Sequence, residues 1–323
     1  MKRLLAFFAV IVCISMFTSC GAAPAASNGK PTVVTTIVPQ YDFVRAIAGD
    51  TVNLSMLVSP GAESHTYDPS IADVKAICDA DLFIYTGGEI DEWAADLESA
   101  VKGADVKTIR ITDAVPGGSS YGDVGNHHDH HRHTGYYDHN DHHDYQSDEH
   151  IWTSPENAVA ILDYILDALI EIAPENEALF RANADAYRAR IDKISDEFAE
   201  IADAATGITF VVADRFPFGS LFEEYGFSCT AALDGCAVGV EPSASVVAEL
   251  IDLVSTEKLA GVFYIEFSDR KVADVISAAT GCEQWQLHSC HNVSRDDFDR
   301  GVTYCDLMEQ NADNMRAAIG ARS

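Results

Sequence analysis

Basic residues are scarce in this 323-residue chain: 21 lysines and arginines stand against 51 aspartates and glutamates, a net charge of −30. So acidic a surface repels phosphate backbones, which argues against nucleic acid as a partner and makes cations the natural guests. Long apolar runs are also missing. Beyond the N-terminus no stretch reaches the roughly eighteen uncharged apolar residues of a membrane span. The eight cysteines include no Cys-x-x-Cys pair, so a zinc knuckle is excluded. No His-Glu-x-x-His occurs, which removes the commonest signature of a zinc hydrolase. What remains is an ordinary globular composition, 47% hydrophobic and 22% charged. Disordered and collagen-like chains are thereby excluded, and the length suits two domains of about 150 residues each.

The first nineteen residues read as a targeting signal. Lys2 and Arg3 precede the apolar run Leu4 to Ile14, too short to span a bilayer but suited to a signal-peptide core. Phe17-Thr18-Ser19-Cys20 follows, then a small-residue tether over residues 20–30. This looks like a bacterial lipoprotein signal in which Cys20 is lipidated and anchors an exported protein to the cell membrane. Cys78, Cys229, Cys236, Cys282, Cys290 and Cys305 then remain, an even set that permits disulfides outside the cytoplasm. Cys236 and Cys290 are the pair that loop placement suggests.

From Lys30 onward, strands and helices alternate. Thr32 to Val38, Val52 to Val58, Leu82 to Tyr85 and Val106 to Ile111 read as strands, with helices from Tyr41, from Asp68-Pro69-Ser70 and from Trp93. The alternation restarts after Gly207, with strands over Thr209 to Ala213, Ser228 to Leu233, Gly261 to Ile265 and Gln284 to Leu287. Such a pattern predicts α/β architecture, parallel sheets covered by helices. Between the halves, helical periodicity runs from Ser154 to Ile172 and from Pro174 to about Ala205, and the second stretch is long enough for a strut joining two lobes. The expected organisation is an N-terminal lobe over 31–155, helices including the strut over 156–205, and a C-terminal lobe over 206–323. Residues 121–149 interrupt the first lobe with eight histidines, seven acids and Val124 as the only aliphatic residue. That composition cannot form a packed core, but it makes a low-affinity reservoir for borderline metals.

Four residues outside that tract could share one metal. His65 lies between a strand end and a helix start, the edge where open α/β sheets bind ligands. His150 stands where the tract meets ordered structure. Asp214 follows the first strand of the second lobe, and His288 follows the last. Imidazoles with a carboxylate suit zinc and, less strictly, manganese.

The blocks Ile37-Val38-Pro39-Gln40-Tyr41-Asp42-Phe43, Gly61 to Ser70, His150-Ile151-Trp152, Glu241-Pro242-Ser243 and Val302 to Asn311 resemble the metal-receptor lipoproteins of ABC importers for zinc and manganese. The resemblance implies the metal-receptor type of periplasmic-binding-protein fold, with two Rossmann-like lobes on one long backbone helix and a metal in the cleft. It implies His65 and His150 as the first two ligands. For the third position, counting from the strand gives Asp214 and counting back from Phe218-Gly219 gives Arg215. An arginine cannot ligate a cation, which favours Asp214. For the fourth, the chain offers His288 and His291, and His288 directly follows its strand. The implied function is capture of Zn²⁺, with Mn²⁺ as the alternative, and delivery to a membrane permease. The expected molecule is a monomer and not an enzyme; a surface metal buffer or adhesin is the rival reading.

Overall fold

Gln40 ends the first strand earlier than its β-branched run suggests. Its Oε1 accepts from the backbone of Thr36 (2.9 Å) and Ile37 (3.1 Å), turning the chain into a helix that starts at Val38 with Pro39 in its first turn. The computed structural model describes residues 29–94, 104–115, 149–233 and 239–320. The signal, the tether up to residue 28, nearly all of the expected helix from Trp93, residues 121–148 of the histidine-rich segment, and Cys236 lie outside them.

The first sheet holds β1 (Thr32–Thr35), β2 (Asn53–Met56), β3 (Leu82–Tyr85) and β4 (Lys107–Arg110), all parallel, in the order β2-β1-β3-β4. The second repeats this arrangement with β5 (Thr209–Val212), β6 (Ser228–Ala231), β7 (Gly261–Tyr264) and β8 (Glu283–Gln286), in the order β6-β5-β7-β8. In both sheets the order reverses beside the first strand, so the loops after the carboxyl ends frame a crevice there. Around the first sheet lie α1 (Val38–Ala48) and α2 (Ile71–Cys78). The cap of α2 is Ser70, not Asp68: Asp73 N donates to Ser70 Oγ (3.3 Å) while Asp73 Oδ2 accepts from Ser70 N (2.7 Å).

Two long helices follow, α3 (Pro155–Ile172) and α4 (Glu177–Ala204). The turn Pro174–Asn176 is 3-10, so the strut is 28 residues of α-helix, about 42 Å at 1.5 Å per residue. Phe180, Ala184, Tyr187, Ile191, Ile194, Phe198 and Ile201 are its buried residues, alternating four and three apart. That stripe lets one face pack along its length. The remaining helices are α5 (Gly219–Tyr225), α6 (Ala244–Glu257), α7 (Lys271–Thr280), a short α8 (Arg295–Asp299) and α9 (Tyr304–Gly320).

One apolar core runs through both sheets, from Val33 and Phe43 through Trp152, Phe198 and Phe263 to Met315. Smaller clusters cover the outer faces, around Phe83 in the first lobe and Val262 in the second. Polar ties sit inside this shared core. Asp42 on α1 accepts from the Tyr187 hydroxyl on α4 and, through the same oxygen, from Tyr304 N on α9 (2.8 Å). Trp152 Nε1 donates to Ser289 O (2.8 Å), and Tyr304 Oη donates to Trp152 O (2.8 Å). Such bonds cost most when one partner is deleted, because the other is left buried and unpaired. Asp42→Ala is therefore expected to destabilise the fold by about 3 kcal/mol, read from the midpoint of urea unfolding; a change under about 1 kcal/mol would mean the tie contributes little.

Candidate metal centre

Three imidazoles converge where the two sheets' carboxyl-end loops meet. The His65 loop follows β2 and turns at Gly61, where a φ of +83° favours glycine. His150 introduces a 3-10 turn, Ile151–Thr153, whose Trp152 is fully buried. His150 O accepts from Thr153 N (3.0 Å) and Thr153 Oγ1 (2.8 Å), so the turn holds the histidine from both sides. His291 comes from the second lobe, after β8.

The ring centroids of His65, His150 and His291 are 5.6–5.7 Å apart in every pairing. Each ring of such a triangle lies about 3.3 Å from the centre, and zinc bound to a ring nitrogen at about 2.0–2.1 Å sits about 3.2 Å from the ring's centroid. The spacing of the three centroids is thus compatible with one zinc ion between the rings. An oxygen of Glu63 and nitrogens of His65 and His291 lie within 4.8 Å of one another. His65 Nε2 is buried with no hydrogen-bond partner, a costly arrangement for a lone pair unless a cation meets it.

Electrostatics keep these rings ready in different ways. Burial, with the charges of His150 and His291, lowers His65 to about 3, so it is neutral and can donate its lone pair. Burial also disfavours a charged His291, but hydrogen bonds to Glu266 and Glu63 outweigh it and raise His291 to about 9. Glu63, hydrogen-bonded to His291 and near Arg215, is lowered to about 2. Burial would raise the Glu266 carboxyl; the imidazoles of His288 and His291 and the Ser289 hydroxyl outweigh it and hold it well below the ordinary carboxylate range.

Carboxylates support the rings from behind. Glu266 Oε1 is 3.2 Å from His291 Nδ1, which aims the other ring nitrogen at the crevice. Glu266 also accepts from Ser289 N (2.9 Å). Glu149 Oε1 lies 3.6 Å from His65 Nδ1, and Oε2 accepts from Ile90 N (2.8 Å). A Cβ on Gly88 would stand 2.5 Å from that oxygen, so glycine there makes room for the carboxylate. Carboxylates bonded to the far nitrogen of a ligand histidine fix its orientation and raise its basicity.

The structure brings the rings of His65 and His150 together, 5.7 Å between centroids, while the tight donor group itself is Glu63, His65 and His291 and leaves out His150, Asp214 and His288. Asp214 Oδ1 accepts from Arg215 N (2.8 Å), folding the side chain onto its own loop. His288 is held like an extra strand residue: its N donates to Asn311 Oδ1 (2.7 Å) and its O accepts from Asn311 Nδ2 (2.8 Å). Its Nδ1 accepts from Cys290 N (3.0 Å) and lies 3.8 Å from Glu266 Oε2, and its side chain lines, with Glu266, Asp297 and Gln310, a cavity of about 530 Å³. Cys290, at φ +66°, then reverses the chain and delivers His291 to the crevice. His291 O accepts from Val38 N (3.4 Å), and Asn292 Nδ2 donates to Ser59 O (3.0 Å) and Ala62 O (2.6 Å), clasping the loop that carries His65. Glu63, Glu149 and Glu266 escaped the sequence reading as members of this centre; only the closeness of Glu63 and Glu149 to the two histidines hinted at them. Cys290 is a buried free thiol.

These shifts set the pH dependence of the metal-free fold. His65 is lowered from 6.5 to about 3, so its contribution is lost as pH falls through that window, when the unfolded chain takes up a proton the native site resists. His291 is raised to about 9, so its contribution is complete below 6.5 and lost as pH rises toward 9. Stability of metal-free protein is expected to fall on both sides of about pH 6.5, by about 1.4 kcal/mol per unit for each group. Urea titrations of metal-free protein check this: His65→Gln should flatten the acid limb, and an unchanged limb would contradict it.

The chain spans 93% of its own length, but 58% of the relative's, in a match to "Zinc-binding lipoprotein AdcA" of Streptococcus pneumoniae, at 31% identity over 309 residues. It matches "High-affinity zinc uptake system protein ZnuA" of Bacillus subtilis at 27% identity over 327 residues, covering 100% of this chain and 99% of that one. Among solved structures, the Zn(II)-bound ZnuA-like domain of Streptococcus pneumoniae AdcA superposes with a TM-score of 0.72 at 28% identity, over 90% of this chain and 99% of that one. The zinc-binding protein TroA of Treponema pallidum shares the fold, with a TM-score of 0.70 at 23% identity, over 90% of this chain and 99% of that one. The profile of the family described as "ZnuA: Zinc-uptake complex component A periplasmic" matches residues 33–318. This chain belongs to that family.

Proposed function

We propose that the chain is an extracytoplasmic receptor that captures Zn²⁺ through His65, His150 and His291 and passes it to an ABC permease in the membrane. The observation that carries this reading is the meeting of three imidazole rings, 5.6–5.7 Å apart, around a donor group of Glu63, His65 and His291, with His65 Nε2 buried and unpartnered. Three nitrogen donors suit zinc better than manganese, which favours oxygen. The named relatives are a zinc-binding lipoprotein and a zinc-uptake protein, and the same cargo is proposed here. His291 replaces the expected His288, and Asp214 is left out of the ligand set. The role is binding and delivery, not catalysis.

Both halves of the site come from one chain, which supports action as a monomer. Anchoring follows from Phe17-Thr18-Ser19-Cys20, with lipid on Cys20 holding the protein at the membrane that carries the permease. No helix of the described residues is long and apolar enough to cross a membrane. The histidine-rich segment leads directly into His150 and is proposed to collect zinc weakly for hand-off to the tight site.

Alanine at His65, His150 or His291 is expected to lower zinc affinity at least about a hundredfold, and at His288 or Asp214 by less than about threefold. Chelator competition measures this; a collapse with Asp214→Ala or His288→Ala would reverse the assignment. Because His291 must lose its proton to bind metal, affinity should rise about tenfold per pH unit from 7 toward 9, with about one proton released in calorimetry. A flat profile would show that His291 is not a ligand. Deleting residues 126–147 should remove several weak sites and keep the tight one; loss of the tight site would make the segment part of the coordination shell.

A further inference from the structure

Two of the carboxylates at the centre stand behind the rings and one stands among the donors. Glu149 Oε1 faces His65 Nδ1 at 3.6 Å, and Glu266 Oε1 faces His291 Nδ1 at 3.2 Å. The opposite ring nitrogen of His291, Nε2, faces Glu63 Oε1 at 3.9 Å, and that oxygen also accepts from His65 N (3.4 Å). An oxygen of Glu63 and nitrogens of His65 and His291 form the group that lies within 4.8 Å. The other oxygen, Oε2, lies 3.6 Å from Nη1 of Arg215, which reaches in from the loop after β5. That Nη1 is buried and has no hydrogen-bond partner. One carboxylate therefore has an oxygen among the metal donors and an oxygen against a cation of the opposite lobe.

Zinc takes four ligands, so three imidazoles leave one position to fill. Resting on the receptor reading above, we infer that Glu63 fills it through Oε1, and that Arg215 is the positioning residue that turns Glu63 toward the ion. A carboxylate whose second oxygen is tied down presents the first in a fixed direction. Outer partners of this kind are worth about ten- to a hundredfold in metal affinity. The tie also spans the crevice, because Glu63 belongs to the first lobe and Arg215 to the second. Arg215 has two opposed effects on a dication: its charge repels the ion, and its contact with Oε2 directs a donor at it. The sign of the change when Arg215 is removed tells which effect wins.

The test measures Zn²⁺ affinity by chelator competition on the full chain, on Glu63→Gln, on Arg215→Gln, and on the two combined. Glu63→Gln is expected to weaken zinc at least about tenfold, and Arg215→Gln about tenfold although it removes a repelling charge. In the Glu63→Gln background, Arg215→Gln should cause no further loss, because the carboxylate it positions is gone. Co²⁺ loading adds a readout that a merely structural role would not move: the d–d absorption of Glu63→Gln and of Arg215→Gln should shift from the native spectrum in the same way. Tighter or unchanged zinc binding by Arg215→Gln, or an equal loss in both backgrounds, would overturn the positioning role. Native affinity or a native Co²⁺ spectrum in Glu63→Gln would overturn the ligand. Arg215→Met serves the same comparison if Arg215→Gln melts well below the native chain. Absence of zinc binding by the unmodified chain would overturn the receptor reading as well, whereas zinc binding indifferent to Glu63→Gln would overturn this inference alone.

Discussion

Imidazoles carried by loops of two different sheets meet at 5.6–5.7 Å between centroids, and much of the buried polar structure holds them there. A ring carried by a loop wanders unless its backbone is tied down, and the ties here cross from one lobe to the other. His291 O accepts from Val38, Asn292 clasps the Ser59 and Ala62 carbonyls, and Trp152 beside His150 donates to Ser289. Each bond is worth about 1 kcal/mol in isolation. Their joint effect is geometric: they fix the spacing of the three rings, and a site ordered in advance leaves less ordering cost to binding.

Burial then divides the work among the histidines. His65 is kept neutral by desolvation and neighbouring charge, so its lone pair is available at any physiological pH. His291 is held protonated by Glu266 and Glu63, whose carboxylates stabilise that proton. The interior therefore never faces an isolated charge, a condition that would be far more costly than any single hydrogen bond.

The sequence made the architecture legible because parallel strands and amphipathic helices carry strong periodic signals. β3 falls where Leu82 to Tyr85 reads as a strand, and the buried stripe on α4 follows the helical spacing of Ile191, Ile194, Phe198 and Ile201. Element ends were less visible: the early start of α1 depends on Gln40 reaching back to Thr36 and Ile37, a side-chain event that no periodicity encodes. The blocks around His65 and His150 mark two rings that the structure places 5.7 Å apart. That the His291 ring, and not the His288 ring, lies beside His65 and His150 has a conformational reason. Asn311 extends the strand-like pairing through His288, and Cys290 at positive φ turns the chain only afterwards. A non-glycine residue in that conformation leaves almost no trace in sequence. Asp214 was chosen by eliminating an arginine; its carboxylate is taken up by the next amide.

A crystal of the zinc-loaded protein with anomalous data collected at the zinc edge tests the central claim most directly. The expected result is one strong peak nearly equidistant from the three ring centroids of His65, His150 and His291, with the Asp214 and His288 side chains outside bonding distance. A principal peak bound by His288, or one touching only a single lobe, would contradict it.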